Sequence, residues 1–292
     1  MGATSTGTPG ARRRGRWRKA ALLGLAGVAL AATLGAAGLG ILVERLGPPD
    51  FSPLADVSTL VVDRNGALLR PFTTSAGRWR LPVDIAEVDA RFLDMLIAYE
   101  DRRFRDHHGV DPLAVLRAAG QLATSGHIVS GASTITMQLA RLLEPHGERS
   151  FAGKFVEAVR AIQIERRMTK DEILAAYLTL APYGGNLEGV RAAALAYFGK
   201  EPRRLSVAEA ALLVALPQSP ERRRPDRAPA AAEAARNRVL DRMVGAGVLE
   251  APAAMAARER SVPTGRRPVA MIAAHLAEEV VAAAPEQKIH RL

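Results

Sequence analysis

The hydropathy pattern opens with an uninterrupted apolar run. Residues 20–43 carry no charged side chain, and a run of that length can cross a hydrocarbon core as a single helix. Gly47-Pro48-Pro49 reads as a short linker. Apolar residues 59–62 and 67–69 then flank Asp63-Arg64-Asn65-Gly66, and Asn-Gly between apolar runs predicts a β-hairpin. From Asp84 the period becomes helical. Asp84 and Glu87 have capping-box spacing. Phe92, Met95, Leu96 and Tyr99 recur at helical intervals, which puts Glu100 at the end of an amphipathic helix, on its buried or cleft side. Residues 113–128 are a largely apolar stretch with isolated Arg117 and Gln121, expected either in the core, which a helical apolar face favours, or as a surface touching the bilayer. Thr169/Glu172 and Ser206/Glu209 are further capping boxes, opening helices over 173–180 and 210–216. The run Pro182-Tyr183-Gly184-Gly185-Asn186 is a break, and 189–198 an Ala-rich helix stopped by Gly199. Residues 220–229, with three Pro and four Arg, read as an exposed loop. Helical segments follow near 230–246 and 269–283, with loop between, and the chain then stops without a clear closing element.

Composition sharpens this picture in three ways. Ala is abundant and aromatics are 4% of the 292 residues, which favours helix over sheet. The absence of Cys excludes thiol catalysis, disulfides and Cys-ligated zinc. The net charge is +10, but Arg12, Arg13, Arg14, Arg16, Arg18 and Lys19 supply six of those charges within residues 1–19, where there is no acid. A basic arm alone would suit nucleic acid. Followed by an apolar run, it is the cytoplasmic flank of a membrane anchor, so nucleic acid is not expected as a partner and the remaining chain should lie outside the membrane. The run is longer than the core of a cleaved signal peptide.

The candidate chemistry is concentrated between Tyr99 and Arg141. Glu100-Asp101 ends a helix, with Phe104 and His107 close behind. Ser133-Thr134-Ile135-Thr136 is a Ser/Thr turn running into another helix, a start expected to leave backbone N–H groups free for an anion. A carboxylate beside an anion-binding turn suggests group transfer on a phosphorylated substrate. The His107-His108 pair has no further spaced ligands, so no metal site is assigned.

These residues carry a resemblance. Glu100-Asp101-x-x-Phe104-x-x-His107-x-Gly109-x-Asp111 resembles the first signature of the peptidoglycan glycosyltransferases, glycosyltransferase family 51, the polymerising domain of class A penicillin-binding proteins. Gly131-Ala132-Ser133-Thr134-Ile135-Thr136-Met137-Gln138-Leu139 resembles the second signature, and Arg149 with Lys154-x-x-Glu157 the third. The segment from Glu172 through Gly184-Gly185 to Lys200 resembles the fourth, and that from Leu205 through Leu216-Pro217-Gln218-x-Pro220 the fifth. Five ordered motifs span residues 95–220. Met137, Gly153 and the Pro-Tyr-Gly-Gly-Asn run are most like the 1C branch. Gly153 stands where the family usually has Arg, which shifts phosphate binding toward Lys154, Arg149 or Arg160.

The resemblance implies a mainly α, lysozyme-like two-lobed helical domain, preceded by one transmembrane helix and the small hairpin element. The expected layout is a basic tail at 1–19, an anchor at 20–43, a hairpin linker at 44–82, the glycosyltransferase domain at 83–250 and a C-terminal linker at 251–292. The family's transpeptidase motifs, Ser-x-x-Lys and Lys-Thr-Gly, do not occur, so a truncated or monofunctional chain is expected. The implied reaction is polymerisation of lipid II into linear glycan with inversion. Glu100 is then the general base on the acceptor 4-hydroxyl, and Glu157 the second acid. Asp101, Phe104, His107, Gly109, Ser133, Thr134, Thr136, Gln138, Arg149, Lys154, Arg160 and Asn186 are the candidate substrate-binding residues. Cations and N–H donors must meet the leaving pyrophosphate, with Mg²⁺ or Mn²⁺ as a candidate helper. Partners implied are lipid II, the growing strand, the bacterial cytoplasmic membrane and other cell-wall synthesis proteins. Two rivals stay open: a lytic transglycosylase or lysozyme-like hydrolase centred on the same Glu, and a catalytically weak membrane scaffold.

Overall fold

The computed structural model describes residues 22–24, 26–27, 30, 33–35, 37–38, 40–125, 133–145 and 150–292. The chain divides into two compact units, 1–48 and 49–292. In the first, described residues are helical as far as Arg45. The basic tail and much of the expected span 20–43 lie outside the described residues, and no helix among the described residues is long and apolar enough to cross a membrane.

The second unit is mainly helical. Its strands are β1 (Leu60–Val62), β2 (Leu68–Pro71), β3 (Trp79–Arg80), β4 (Pro182–Gly184), β5 (Leu187–Glu188) and β6 (Ile289–Arg291). Besides the single turn Ser52–Ala55, its helices are α1 (Ala90–Glu100), α2 (Pro112–Ser125), α3 (Ile135–Leu143), α4 (Phe151–Glu165), α5 (Lys170–Leu180), α6 (Val190–Phe198), α7 (Val207–Ala215), α8 (Pro229–Gly245), α9 (Ala251–Arg258) and α10 (Ala274–Ala283).

The hairpin forms where Asn-Gly predicts it. Gly66 takes φ +84, and Asp63 Oδ1 accepts from the N–H groups of Asn65 and Ala67 at 2.7 and 2.8 Å. Leu60 pairs with Pro71 and Val62 with Leu68. All three residues of β1 are buried, which calls for cover on its other edge. β6 supplies it, pairing in parallel with Leu60 opposite Ile289. The segment 251–292, expected as a linker without a closing element, thus carries two helices and a strand, and the strand closes the hairpin sheet. α9 was not anticipated, because 251–258 is Ala-rich with no large apolar stripe.

Capping reads through in most places. Thr169 and Ser206 both make reciprocal boxes with Glu172 and Glu209. Gly199 ends α6 in the left-handed conformation. Asp84 caps only a 3₁₀ turn, and the cap of α1 is Asp89. α7 is apolar on every face and buried from Ala210 to Ala215. It is the hub of one helix group, packing on α1, α6, α8 and α9. α3, α4 and α5 pack on one another as a second group. Over 113–118 the core reading does not hold. In α2 the small Ala114 and Ala118 face inward, while Leu113, Val115 and Leu116 are 56, 44 and 67% exposed.

Candidate active site

Glu100 is the last residue of α1, and its side chain meets the second helix group there. One carboxylate oxygen accepts from Gln138 Nε2 of α3 at 2.9 Å. The other accepts from Gln218 Nε2 at 2.8 Å, in the loop after α7. Burial pushes the Glu100 carboxyl above its usual range, while the two amides and the charges of Arg242 and Arg223 pull it back down. Each amide is oriented from behind. Tyr177 Oη donates to Gln138 Oε1 at 3.4 Å, and Arg223 Nη1 donates to Gln218 Oε1 at 3.2 Å. The phenols of Tyr177 and Tyr183 are fully buried. Burial, and then the Glu100 charge, raise both above the ordinary Tyr range. Tyr183 Oη finds no hydrogen-bond partner among the described residues. Arg242 of α8 lies 4.7 Å from the Tyr99 ring centroid.

Several predicted substrate ligands are instead spent inside the protein. Asp101 is buried, and its oxygens receive His107 Nε2 at 2.9 and 3.0 Å and the Ile135 N–H at 3.0 Å. The Gly109 N–H donates to His107 Nδ1 at 3.2 Å, so Nε2 carries the proton toward Asp101. Thr134 Oγ1 donates to the Gly109 carbonyl at 2.6 Å and accepts from the Met137 N–H at 3.1 Å. Thr136 Oγ1 is buried and donates to Glu165 at 2.7 Å. Phe104 is fully buried, with Lys170 Nζ 4.5 Å from its ring centroid. Asp101, His107, Gly109 and Thr134 therefore clamp the end of α1 to the start of α3, fixing Glu100 against Gln138. In the expected anion-binding turn, the N–H groups of Ile135 and Met137 are occupied internally. Ser133 remains half-buried at its mouth.

Gly109 itself is needed for close approach. Its φ is +92, and a β-carbon there would lie 2.7 Å from the carbonyl carbon of Ala161 in α4. Asp111 caps α2 through the N–H groups of Leu113 and Ala114 and pairs with Arg103. The Arg103 guanidinium, helped by these N–H groups, holds its carboxyl down to about 2.

α3 also reaches the second acid. Arg141, three residues after Gln138 and so on a neighbouring face, has Nη1 3.9 Å from Glu157 of α4. Lys154 precedes Glu157 by three residues, exposed in the first turn of α4 beside the exposed Phe155. Arg160 is bound to Glu144 and Gln163, each at 2.8 Å, and braces α4. Asn186 belongs to a different place, the β4–β5 turn, where it donates to the Gly77 carbonyl and accepts from Arg266. Arg149 lies outside the described residues. Among the described residues no group of three or more His, Asp or Glu is placed to hold a metal ion. A separate cavity of about 180 Å³, lined by Trp79, Leu187, Leu195 and Val269 among others, is apolar and contains none of these groups. Gln218 lies within the fifth motif with no role read from the sequence, Tyr183 reads there as part of a turn, and Arg223 and Arg242 carry no expectation. Their only signal was a polar side chain directly after Leu-Pro and an Arg-rich turn.

The half-buried Glu100 carboxylate is thus held by two amides between two helix groups. Residues 65–244 match the family model described as Transglycosylase, and the chain belongs to that family. Over 212 residues it is 50% identical to penicillin-binding protein 1C of Escherichia coli (strain K12), covering 72% of this chain and 27% of that protein. Over 205 residues it is 39% identical to penicillin-binding protein 1A of the same strain, covering 69% and 24%. A crystal structure of penicillin-binding protein 1A from Haemophilus influenzae covers 78% of this chain and 24% of that one, at 19% identity and a TM-score of 0.39. The chain spans about a quarter of the length of these relatives.

Proposed function

We propose that the chain is a peptidoglycan glycosyltransferase that polymerises lipid II into linear glycan, with Glu100 as general base. The observation that carries this reading is the hydrogen bonding of Glu100. Both of its oxygens accept from amide N–H groups, which favours the ionised form in opposition to the burial that raises its pKa. A hydrolase acting on a glycosidic bond needs a protonated carboxyl to donate to the leaving oxygen, so the arrangement favours the transferase.

In the proposed step Glu100 takes the proton of the acceptor 4-hydroxyl. The hydroxyl oxygen attacks the anomeric carbon of the donor sugar as the bond to the lipid pyrophosphate breaks, and the configuration inverts. Negative charge accumulates on the pyrophosphate, where fixed cations lower the barrier. Lys154 and the N-terminus of α4 face this role, with Arg149 completing the third motif. Ser150 Oγ already takes the Gly153 N–H, so the cations carry the larger share. Glu157 orients Arg141. Any Mg²⁺ or Mn²⁺ would arrive on the substrate pyrophosphate, and no step depends on it. Phe155 beside Lys154, and the exposed Leu113, Val115 and Leu116 of α2, supply apolar surface suited to a lipid-linked substrate. We further propose the two-lobed lysozyme-like arrangement for the helical body. Residues 20–43 are proposed as the anchor in a bacterial cytoplasmic membrane, with the catalytic unit outside and other cell-wall synthesis proteins as neighbours.

Labelled lipid II in detergent tests the reading. Polymer that a muramidase digests supports it. Cleavage of finished murein without polymer would install the hydrolase, and lipid II binding without turnover would install the scaffold.

A further inference from the structure

Two amides hold the Glu100 carboxylate, and they are not equivalent. Gln138 projects from a helix that the Asp101–His107 clamp ties to Glu100. Gln218 arrives from 118 residues away in sequence, on a loop, with its side chain exposed. A glutamine amide can present either its N–H₂ or its carbonyl, and what decides is the partner on its other end. If the Gln218 carbonyl faced Glu100, two acceptors would meet and the carboxylate would be disfavoured.

Arg223 decides the orientation. Its Nη1 donates to Gln218 Oε1 at 3.2 Å and to the carbonyl of Ala215, the last residue of α7, at 2.7 Å. A guanidinium is a pure donor, so only the carbonyl end of Gln218 can face it, and the N–H₂ end must face Glu100. The carbonyl of Ala215 fixes Arg223 in turn, because it belongs to the buried hub helix. The remaining groups around Glu100 are accounted for. Gln138 and Tyr177 come from the second helix group, Tyr183 from β4, and Arg242 from α8. Neither phenol can turn the Gln218 amide, since Tyr177 is engaged with Gln138 and Tyr183 Oη makes no hydrogen bond among the described residues.

We propose that Arg223 is a positioning residue for the transfer reaction, acting through Gln218 to aim one N–H at the general base and hold it ionised. This rests on the reading of Glu100 as base. Its consequence is a sharp division of labour within one Arg-rich turn: Arg223 sets the acidic limit of activity, while its exposed neighbour Arg222 does not.

The test compares wild type, Q218L, R223A, R223K and R222A in two measurements. The first is the pH profile of polymer formation from lipid II. The second is direct titration of the Glu100 side-chain carboxyl by ¹³C NMR of Glu-labelled protein in detergent, with the resonance assigned by E100Q. A hydrogen bond to a carboxylate is worth on the order of one pKa unit. Q218L and R223A should therefore each move the acidic limb, and the Glu100 titration, up by about one pH unit. That shift is about a tenfold loss of rate well below the limb. R223K keeps the charge on a shorter side chain and should recover only part of the shift. R222A should match wild type. Equal titrations of Glu100 in wild type, Q218L and R223A would overturn the proposal, as would an R222A shift as large as that of R223A. Gln218 is exposed, so Q218L keeps the test open if R223A melts early. The titration needs no turnover. Shifted titrations without polymer from wild type would uphold the positioning role and sink the polymerase reading instead.

Discussion

Replacing Asp101 separates a substrate ligand from a structural clamp. The carboxylate is buried and accepts from His107 Nε2 and the Ile135 N–H. Asp101→Ala leaves both donors buried and without a partner. Each such group costs about 1–3 kcal/mol, so the expected loss is about 2–6 kcal/mol. For a unit of this size that lowers the melting temperature by about 5–20 °C. Asp101→Asn keeps the shape and can still accept one of the two donors, and should lose about 1–3 kcal/mol. Urea unfolding at pH 7 gives the free energies, and lipid II turnover is measured well below each variant's transition. Residual activity should follow the displacement of Glu100 from Gln138 and be better preserved in the Asn variant. A variant as stable as wild type to within about 0.5 kcal/mol, yet inactive, would refute the clamp and return Asp101 to the substrate.

Three further outcomes follow from the same geometry. Gly109→Ala forces an L-residue to φ +92 against the α4 backbone and should cost about 2–5 kcal/mol from strain and overpacking together, read by urea unfolding. It should also shift α4, and with it Glu157. Asp111→Ala removes a helix cap and a half-exposed ion pair and should cost about 1–2 kcal/mol at pH 7. The Asp111 pKa is lowered by folding from 3.8 to about 2. The charge-dependent part of its stabilisation is thus present above about pH 4 and should vanish as pH falls through about 2, where wild type and variant converge. Glu100 has the opposite sign. Burial raises its pKa in the folded state, so the wild type loses stability as pH rises from the unfolded value through the folded one. Glu100→Gln should therefore be the more stable protein at neutral pH and lose that advantage below about pH 4 in thermal melts.

Local signals in the chain read through to structure. Asn65-Gly66 makes its hairpin, and the boxes at Thr169 and Ser206 close as spaced, because those interactions involve neighbours within four residues. Glu100 was legible from its motif and its place at the end of an apolar face. What a residue type does not reveal is its distant partner. Asp101, Thr134 and Thr136 have the chemistry of substrate ligands, and the fold turns all three inward onto His107, Gly109 and Glu165. Gln218 and Arg223 reach the site through a contact spanning 118 residues. The α2 segment misleads for another reason. A periodicity argument assumes that large apolar residues face the core, and here Ala114 and Ala118 do so while Leu113 and Leu116 point out. The strand at 289–291 was invisible because three residues carry almost no pattern until β1 offers them an edge.

If Glu100 removes the acceptor proton, as proposed, replacing its carboxylate by an amide must all but halt turnover. Wild type and Glu100→Gln are given labelled lipid II under identical conditions, with thermal melts showing both folded. Wild type should give muramidase-sensitive polymer, and the variant a rate lower by about a hundredfold or more, the usual contribution of a general base. Equal polymer from both would contradict it and move the base to another acid, with Glu157 the next to examine.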